Sequence, residues 1–188
     1  IIPSTKRHEN TITHLLTNTA GNVNNIMKKA LEKVMDDYDY ILIDNGPRTD
    51  LLTVNCFFAT DEILTPVRCD GFSYDGLLDI LRRITYVKEE HDIQTVNFKG
   101  VFITQVESNT NVYKDIRDEY LKQLQDKFLD TPIRKTVAIP EIETDFKPLL
   151  VYKPNNSAVF DYAELLLALN ILSSEDQQKL RTAIGREK

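Results

Sequence analysis

The sequence contains no tryptophan, only two cysteines and only six glycines among its 188 residues. Cys56 and Cys69 form no CxxC pair, and the three histidines are scattered, so we predict no structural metal site. Two isolated cysteines are typical of reduced thiols in a cytosolic protein, which predicts a cytoplasmic location. No apolar run approaches the roughly 20 residues of a membrane-spanning helix, and residues 4–10 are too polar for a signal peptide, so we expect no membrane partner.

The charge balance excludes a strongly basic nucleic-acid module. Lysine and arginine total 23 against 29 aspartates and glutamates, which gives a net charge of −6. With 41% hydrophobic residues, the chain can bury one substantial core, and we predict a single domain over residues 1–188. The chain starts with Ile1 instead of methionine, inside what resembles the end of a strand at residues 1–3. We interpret it as the C-terminal portion of a longer protein.

Strands and helices alternate along the predicted secondary structure. Such alternation indicates an α/β fold, with a mostly parallel sheet and helices on both faces. We predict a loop over residues 141–156, which contain two prolines. The predicted strands are 40–43, 62–67, 97–104 and 136–139, and the predicted helices begin at Asn22 or Asn24, Leu51, Ser73, Val112, Ser157 and Ser173 or Ser174.

The strand predicted at residues 40–43 ends at Asp44, before the turn residues Asn45, Gly46 and Pro47. Ligands of open parallel sheets gather at the carboxyl ends of the strands. An aspartate at such an end is how nucleotide hydrolases hold a magnesium ion, usually through water. Aspartate also caps turns without any ligand, and the pattern alone leaves both interpretations open.

Two further strand ends carry candidate binding residues. Thr104 and Gln105 follow the predicted strand 97–104, where their side chains could face a base or a phosphate, or could satisfy backbone groups of the loop. Pro140 follows the predicted strand 136–139, and its rigid ring could lie against a flat ligand ring. The paired basic residues Arg82–Arg83 and Arg134–Lys135 fit solvated edges or DNA contacts.

Several catalytic motifs do not occur among these residues. The sequence has no GxxxxGK[ST] loop, so these 188 residues alone cannot cradle a triphosphate. It also has no nucleophile elbow and no Ser-His-Asp arrangement. A phosphorelay receiver domain also carries an aspartate at a strand end, but it requires a lysine followed by proline after a late strand. No predicted strand ends in that way, so we reject it.

An ordered series of segments resembles the ParA family of partition ATPases. It runs from the first residue, where Ile2-Pro3-Ser4 fits the end of a strand, to about Leu169. It includes the Tyr-Asp-Tyr opening at Tyr38 and the strand leading to Asp44. Asn45-Gly46-Pro47 stands where the family has a double proline, and Glu141-Ile142-Glu143 stands where it often has Arg-Asn. The other matching segments are Leu51–Asn55, Ala59–Val67, Phe72–Leu77, Gly100–Gln105, Asn109–Asn111 and Lys147–Tyr152.

The resemblance implies a deviant-Walker P-loop fold that binds ATP or ADP with Mg²⁺ and forms a nucleotide-driven homodimer. It implies an ATPase, in the intact protein, that acts in plasmid or chromosome segregation, binds DNA nonspecifically and meets a centromere-binding partition protein. It assigns Asp44 as the magnesium-side carboxylate of the switch region, acting through water. It also places Gln105 and Pro140 beside the adenine, with Thr104 adjacent.

Two other interpretations stay open from the sequence. A MinD-like membrane-cycling ATPase has the same fold but needs a basic amphipathic C-terminal helix, whereas residues 175–184 have few apolar positions. A non-catalytic interaction or regulatory module of the same fold would lack the phosphate loop altogether. In the ParA interpretation, the 188 residues alone are expected to be inactive.

Overall fold

The computed structural model describes residues 22–46, 50–69, 74–145 and 147–184. The strand end predicted at residues 1–3 and the helix cap predicted at Ser73 lie outside these residues. The described chain falls into two compact units. The first contains the described residues up to Ile63 together with Leu78–Asn97, and the second contains Leu64–Leu77 and the described residues from Phe98 onward.

The first unit is mainly helical. Asn22 begins the described chain by accepting a 2.8 Å hydrogen bond from the Asn24 amide, which starts a 3₁₀ turn. The single helix predicted from here to about residue 36 is instead divided into short pieces. These elements are the 3₁₀ turn Val23–Asn25, helix α1 (Ile26–Leu31), the 3₁₀ turn Met35–Asp37, helix α2 (Leu51–Phe58) and most of helix α3 (Tyr74–Glu90).

Asn55 on α2 holds the segment at residues 23–27 against this helix. Its side chain is 2% exposed, and its amide nitrogen donates to the carbonyl of Val23 at 2.8 Å and to that of Leu51 at 3.0 Å. Its carbonyl oxygen accepts the Met27 amide at 3.2 Å. A buried amide with both ends paired stabilises the contact, whereas an unpaired one would destabilise it. The α2 helix itself starts where predicted, with Asp50 as its N-cap.

The strand predicted at residues 40–43 is wrong for the described structure. No β-ladder of the described chain includes these residues. Tyr38, Ile41 and Leu42 are exposed, with Leu42 94% exposed. A run of apolar residues becomes a strand only when neighbouring backbone groups complete its ladder of hydrogen bonds.

The sheet consists of β1 (Glu62–Arg68) and β2 (Asn97–Thr104), close to the predicted strands. The two strands run parallel, because Asn97 donates to the carbonyl of Asp61 near one end and Cys69 donates to that of Thr104 at the other. The intervening helix α3 is the crossover that parallel strands require.

An extended segment at residues 128–135 continues the parallel arrangement beside β2. Parallel bridges pair Phe128 with Val101 and Arg134 with Val106. Helix α4 (Asn111–Leu124) and a 3₁₀ turn (Gln125–Lys127) make the connection from β2 to this segment. The remaining helices of the second unit are α5 (Ala138–Asp145), α6 (Leu149–Tyr152), α7 (Ser157–Leu169) and α8 (Ser174–Ala183).

Helix α7 supplies much of the core of the second unit. Its apolar side chains pack with β2 and the 128–135 segment in a cluster of Phe102, Ile133, Ala158, Leu165 and Leu169. Two predictions in this region are wrong. Residues 136–139 are not a strand, since α5 begins at Ala138, and residues 141–156 contain the rest of α5 and all of α6. Pro140 lies in the first turn of a helix, where proline is tolerated because its missing N–H has no partner there.

Within the described residues, no helix combines the length and apolar character that a membrane crossing demands.

Candidate functional site

The ladder at the carboxyl end of β2 contains a one-residue bulge. In a regular parallel ladder, the two hydrogen bonds made by one residue reach partners separated by a single residue. Here the amide of Ile133 donates to the carbonyl of Ile103 at 2.9 Å, and its carbonyl accepts the amide of Val106 at 3.0 Å. Two residues, Thr104 and Gln105, therefore stand where one would fit. Bulges of this kind redirect a side chain and occur often beside active sites.

The two bulge residues have different environments. Thr104 is half-buried and anchored to β1, since its carbonyl accepts the amide of Cys69 and its hydroxyl donates to the carbonyl of Val67, both at 3.1 Å. Gln105 is exposed and has a φ of 55°, a left-handed conformation that costs a residue other than glycine about 1 kcal/mol. Hence the Thr104 hydroxyl satisfies a carbonyl of β1, whereas Gln105 is presented to solvent.

Pro140 follows the next parallel segment. It is exposed on α5, while the neighbouring Ala138 is fully buried and Ile139 packs against the core cluster. Since residues 128–135 run parallel to β2, Gln105 and Pro140 both follow the carboxyl ends of adjacent segments. We call this part of the second unit the base edge, defined by Thr104, Gln105 and Pro140.

Ion pairs link the residues that follow β2 and the 128–135 segment to neighbouring parts of the second unit. Lys135 Nζ lies 2.6 Å from Glu107 Oε1, and the hydrogen bond and charge of that lysine lower the pKa of the Glu107 carboxyl. Arg134 pairs with Asp161 on α7, and the hydrogen bonds that the guanidinium donates to this carboxylate raise the pKa of Arg134. These pairs give Arg134 and Lys135 structural partners, which favours the interpretation of that basic pair as an edge of the fold over a DNA contact.

Asp44 belongs to the first unit. It is exposed and, within the described chain, it follows no strand. The described residues contain no group of three or more His, Cys, Asp or Glu side chains that could hold a metal. A carboxylate in this environment can contact a metal-bound water, but it cannot form an all-protein metal cage.

The α/β fold, with parallel strands joined through helices, is shared with several solved structures. It is similar, with a TM-score of 0.59 and 21% identity, to cobyrinic acid a,c-diamide synthase of Mycobacterium smegmatis, solved with an ATP analogue and magnesium. That match covers 74% of this chain and 61% of the other. A protein of Borrelia burgdorferi B31 assigned to plasmid partition, solved with AMPPNP, gives a TM-score of 0.61 at 19% identity over 84% of this chain and 59% of its own. The predicted α/β fold with a parallel sheet is confirmed.

Residues 1–98 match the model of a family described as AAA domain. The chain belongs to this family, and its ParA-type resemblance is confirmed by sequence similarity to Soj. Over 139 residues it is 32% identical to the sporulation initiation inhibitor protein Soj of Bacillus subtilis (strain 168). This match covers 74% of the chain and 54% of Soj. The chain thus spans about half the length of the curated relatives it matches.

The sequence pattern located the carboxyl end of β2 but not the bulge or the paired charges around it. The bulge depends on the register between β2 and a segment some 25 residues later, which no local pattern specifies. The partnership of Asp161 with Arg134 likewise joins residues 27 apart. Thr136 is a residue type that often caps helices, and this could have indicated the start of α5, because its hydroxyl accepts the Ala138 amide.

Proposed function

We propose that the gene product containing this chain is a ParA-type partition ATPase and that the base edge contacts the adenine of its nucleotide. The observation that carries the proposal is the bulge that presents Gln105 in a left-handed conformation beside a parallel segment leading to the exposed Pro140. A strained, exposed residue at the carboxyl end of a strand is typical of ligand sites. A carboxamide can hydrogen-bond to a base, and a proline ring offers it a flat apolar surface.

The chain's residues suit the base and sugar side of a nucleotide better than its phosphates. No GxxxxGK[ST] sequence occurs among the 188 residues, so the phosphates would require residues from outside them. Asp44 offers one exposed carboxylate, which suits a water-mediated contact to Mg²⁺. When bound, that ion would neutralise charge on the transferred phosphate. In this proposal Asp44 orients the metal's water, Gln105 and Pro140 orient the base, and Thr104 holds the bulge to β1.

The remaining parts of the proposal extend to this chain the partition role and the bound nucleotides that the names of similar proteins state. We propose a cytoplasmic homodimer, formed with nucleotide, that acts in plasmid or chromosome segregation through a centromere-binding partner and nonspecific DNA. We also propose that residues 1–188 contribute to a single domain of that protein, with the two compact units as parts of it. Light scattering with and without AMPPNP measures the dimer, and filter binding over a salt series measures the DNA contact.

The test of the ATPase proposal is the steady-state hydrolysis of ATP by the gene product and its Asp44→Asn variant. We expect kcat to fall about 100-fold in the variant, because a neutral amide orients a metal-bound water poorly. The matched control is Asp39→Asn, which changes another exposed carboxylate of the same segment and is expected to leave kcat unchanged. The 188-residue chain alone is expected to show no hydrolysis.

Two results would count against this function. If Asp44→Asn and Asp39→Asn retain equal activity, Asp44 has no role in the reaction. If the gene product neither binds nor hydrolyses ATP, the non-catalytic interaction module becomes the correct interpretation.

A further inference from the structure

Helix α5, which carries Pro140, is tied at two points to the turn formed by residues 153–156. Lys153 Nζ lies 2.5 Å from Glu141 Oε2, next to Pro140 in sequence. Asn156 Nδ2 donates to Thr136 Oγ1 at 3.0 Å, just before the helix begins. The turn itself is closed by a 3.0 Å hydrogen bond from the Asn156 amide to the Lys153 carbonyl. The exposed proline therefore lies between two attachments to the same turn.

The Thr136–Asn156 contact joins the starts of two helices. Thr136 Oγ1 accepts the Ala138 amide at 3.2 Å and so caps α5. The Asn156 carbonyl oxygen accepts the Ala158 amide at 3.0 Å and so caps α7. The two capping side chains then hydrogen-bond to each other. Asn156 donates with its amide nitrogen, which does not take part in capping, and Thr136 accepts with the second lone pair of the same Oγ1 that caps α5. Since α7 packs in the core, this contact fixes the start of α5 against a rigid element.

The two attachments differ in the constraint they impose. The Lys153–Glu141 pair is exposed, with 42% of each side chain accessible, and surface ion pairs hold their geometry weakly. The Thr136–Asn156 hydrogen bond is part-buried and joins two short side chains that have few rotamers. Of the two, the cap-to-cap hydrogen bond is the one able to hold Pro140 to a fixed position.

We propose that Thr136 and Asn156 are positioning residues for the base edge: their hydrogen bond sets where α5 presents Pro140 to the nucleotide base. The inference rests on the proposed function. Neither residue is assigned a contact with the nucleotide, and the effect acts through α5. If the inference is correct, removing the hydrogen bond lowers the affinity for ligands that carry a base and leaves the affinity for phosphates unchanged.

The experiment measures the affinity of the gene product for ATP and for inorganic tripolyphosphate, each with magnesium, by calorimetric titration. For Thr136→Val, which keeps the side-chain shape and removes the hydroxyl, we expect the Kd for ATP to rise about tenfold, the effect of losing one positioning hydrogen bond. The Kd for tripolyphosphate should not change, because this ligand has no base. In turnover, KM for ATP should rise while kcat stays the same.

Three further variants keep the inference testable if Thr136→Val folds poorly. Thr136→Ser retains the hydroxyl and is expected to restore ATP affinity to within about twofold. Asn156→Ser retains a cap for α7 but shortens the reach to Thr136, and it should reproduce the Thr136→Val effect. The double variant Thr136→Val/Asn156→Ser should lose no more ATP affinity than either single variant, since both substitutions remove the same hydrogen bond.

The outcomes separate this inference from the proposed function. If the wild-type protein binds no ATP, the proposed function fails. If it binds ATP and Thr136→Val and Asn156→Ser bind ATP equally well, the positioning role is wrong and the function stands. Equal losses for ATP and tripolyphosphate would also overturn the positioning role, because they would indicate a general effect on the fold.

Discussion

Replacing Gly100 with alanine is expected to destabilise the protein by about 2–3 kcal/mol, in the range of an overpacked core. A Cβ atom at this position of β2 would lie 2.7 Å from the backbone carbonyl oxygen of Lys127 and 3.3 Å from the Leu129 side chain. The carbonyl cannot retreat alone, because Leu129 is hydrogen-bonded to the Val101 carbonyl at 2.8 Å. The substitution therefore forces the 128–135 segment away from β2 and disturbs the ladder that forms the bulge.

The matched control is Gly46→Ala. A Cβ at Gly46 meets no heavy atom of the described residues within 4 Å, so we expect a change below about 0.5 kcal/mol. Urea unfolding followed by circular dichroism measures both free energies, and hydrogen exchange of the amides of Leu129 and Ile133 locates the effect. Equal stability of the two variants would mean that the close approach at Gly100 is absent.

Removing the Asp161 carboxylate is expected to destabilise the protein by about 2 kcal/mol, the cost of losing hydrogen bonds to a charged group and of leaving a backbone amide without its acceptor. This side chain is 10% exposed. It accepts the Arg134 backbone amide at 2.8 Å and the guanidinium at 2.7 to 3.1 Å. The Arg134 amide faces away from β2, since Ile133 and Lys135 make the bonds to that strand. Asp161 therefore accepts the outward-facing Arg134 N–H, which could otherwise donate to the carbonyl of an additional strand.

Asp161→Ala leaves both this amide and the guanidinium without their carboxylate, whereas Asp161→Asn keeps one acceptor and should cost about half as much. Glu175→Ala is the control, because it breaks an exposed pair with Lys179 at 2.7 Å and is expected to cost less than about 0.5 kcal/mol. Urea denaturation of the three variants provides the comparison. An Asp161→Ala variant as stable as Glu175→Ala would contradict the structural role given to this carboxylate.

The sequence predicted those elements whose patterns are local and complete. β1 and β2 match their predicted ranges closely, and α2 begins at the predicted Leu51. For α7 the predicted cap, Ser157, is one residue late, since Asn156 caps the helix and Ser157 begins it. The strand predicted at 40–43 failed because a ladder needs a partner that no local pattern specifies. The start of α5 was misjudged because Pro140 reads equally well as a strand terminator and as a first-turn residue of a helix.

The candidate site was predictable only in part. The position of Thr104 and Gln105 at a strand end follows from the pattern of β2. The left-handed conformation of Gln105, the outward-facing Arg134 amide and the contact between Thr136 and Asn156 depend on register and on pairs far apart in sequence. Periodicity places residues on elements, but it does not specify how two elements meet.

The central claim is that the base edge contacts the adenine, and photocrosslinking with 8-azido-ATP tests it most directly. We expect ultraviolet irradiation of the gene product with magnesium and this analogue to label peptides that contain Gln105 or Pro140, and excess ATP to prevent the labelling. Labelling that ATP prevents but that falls only on peptides without either residue would contradict the account.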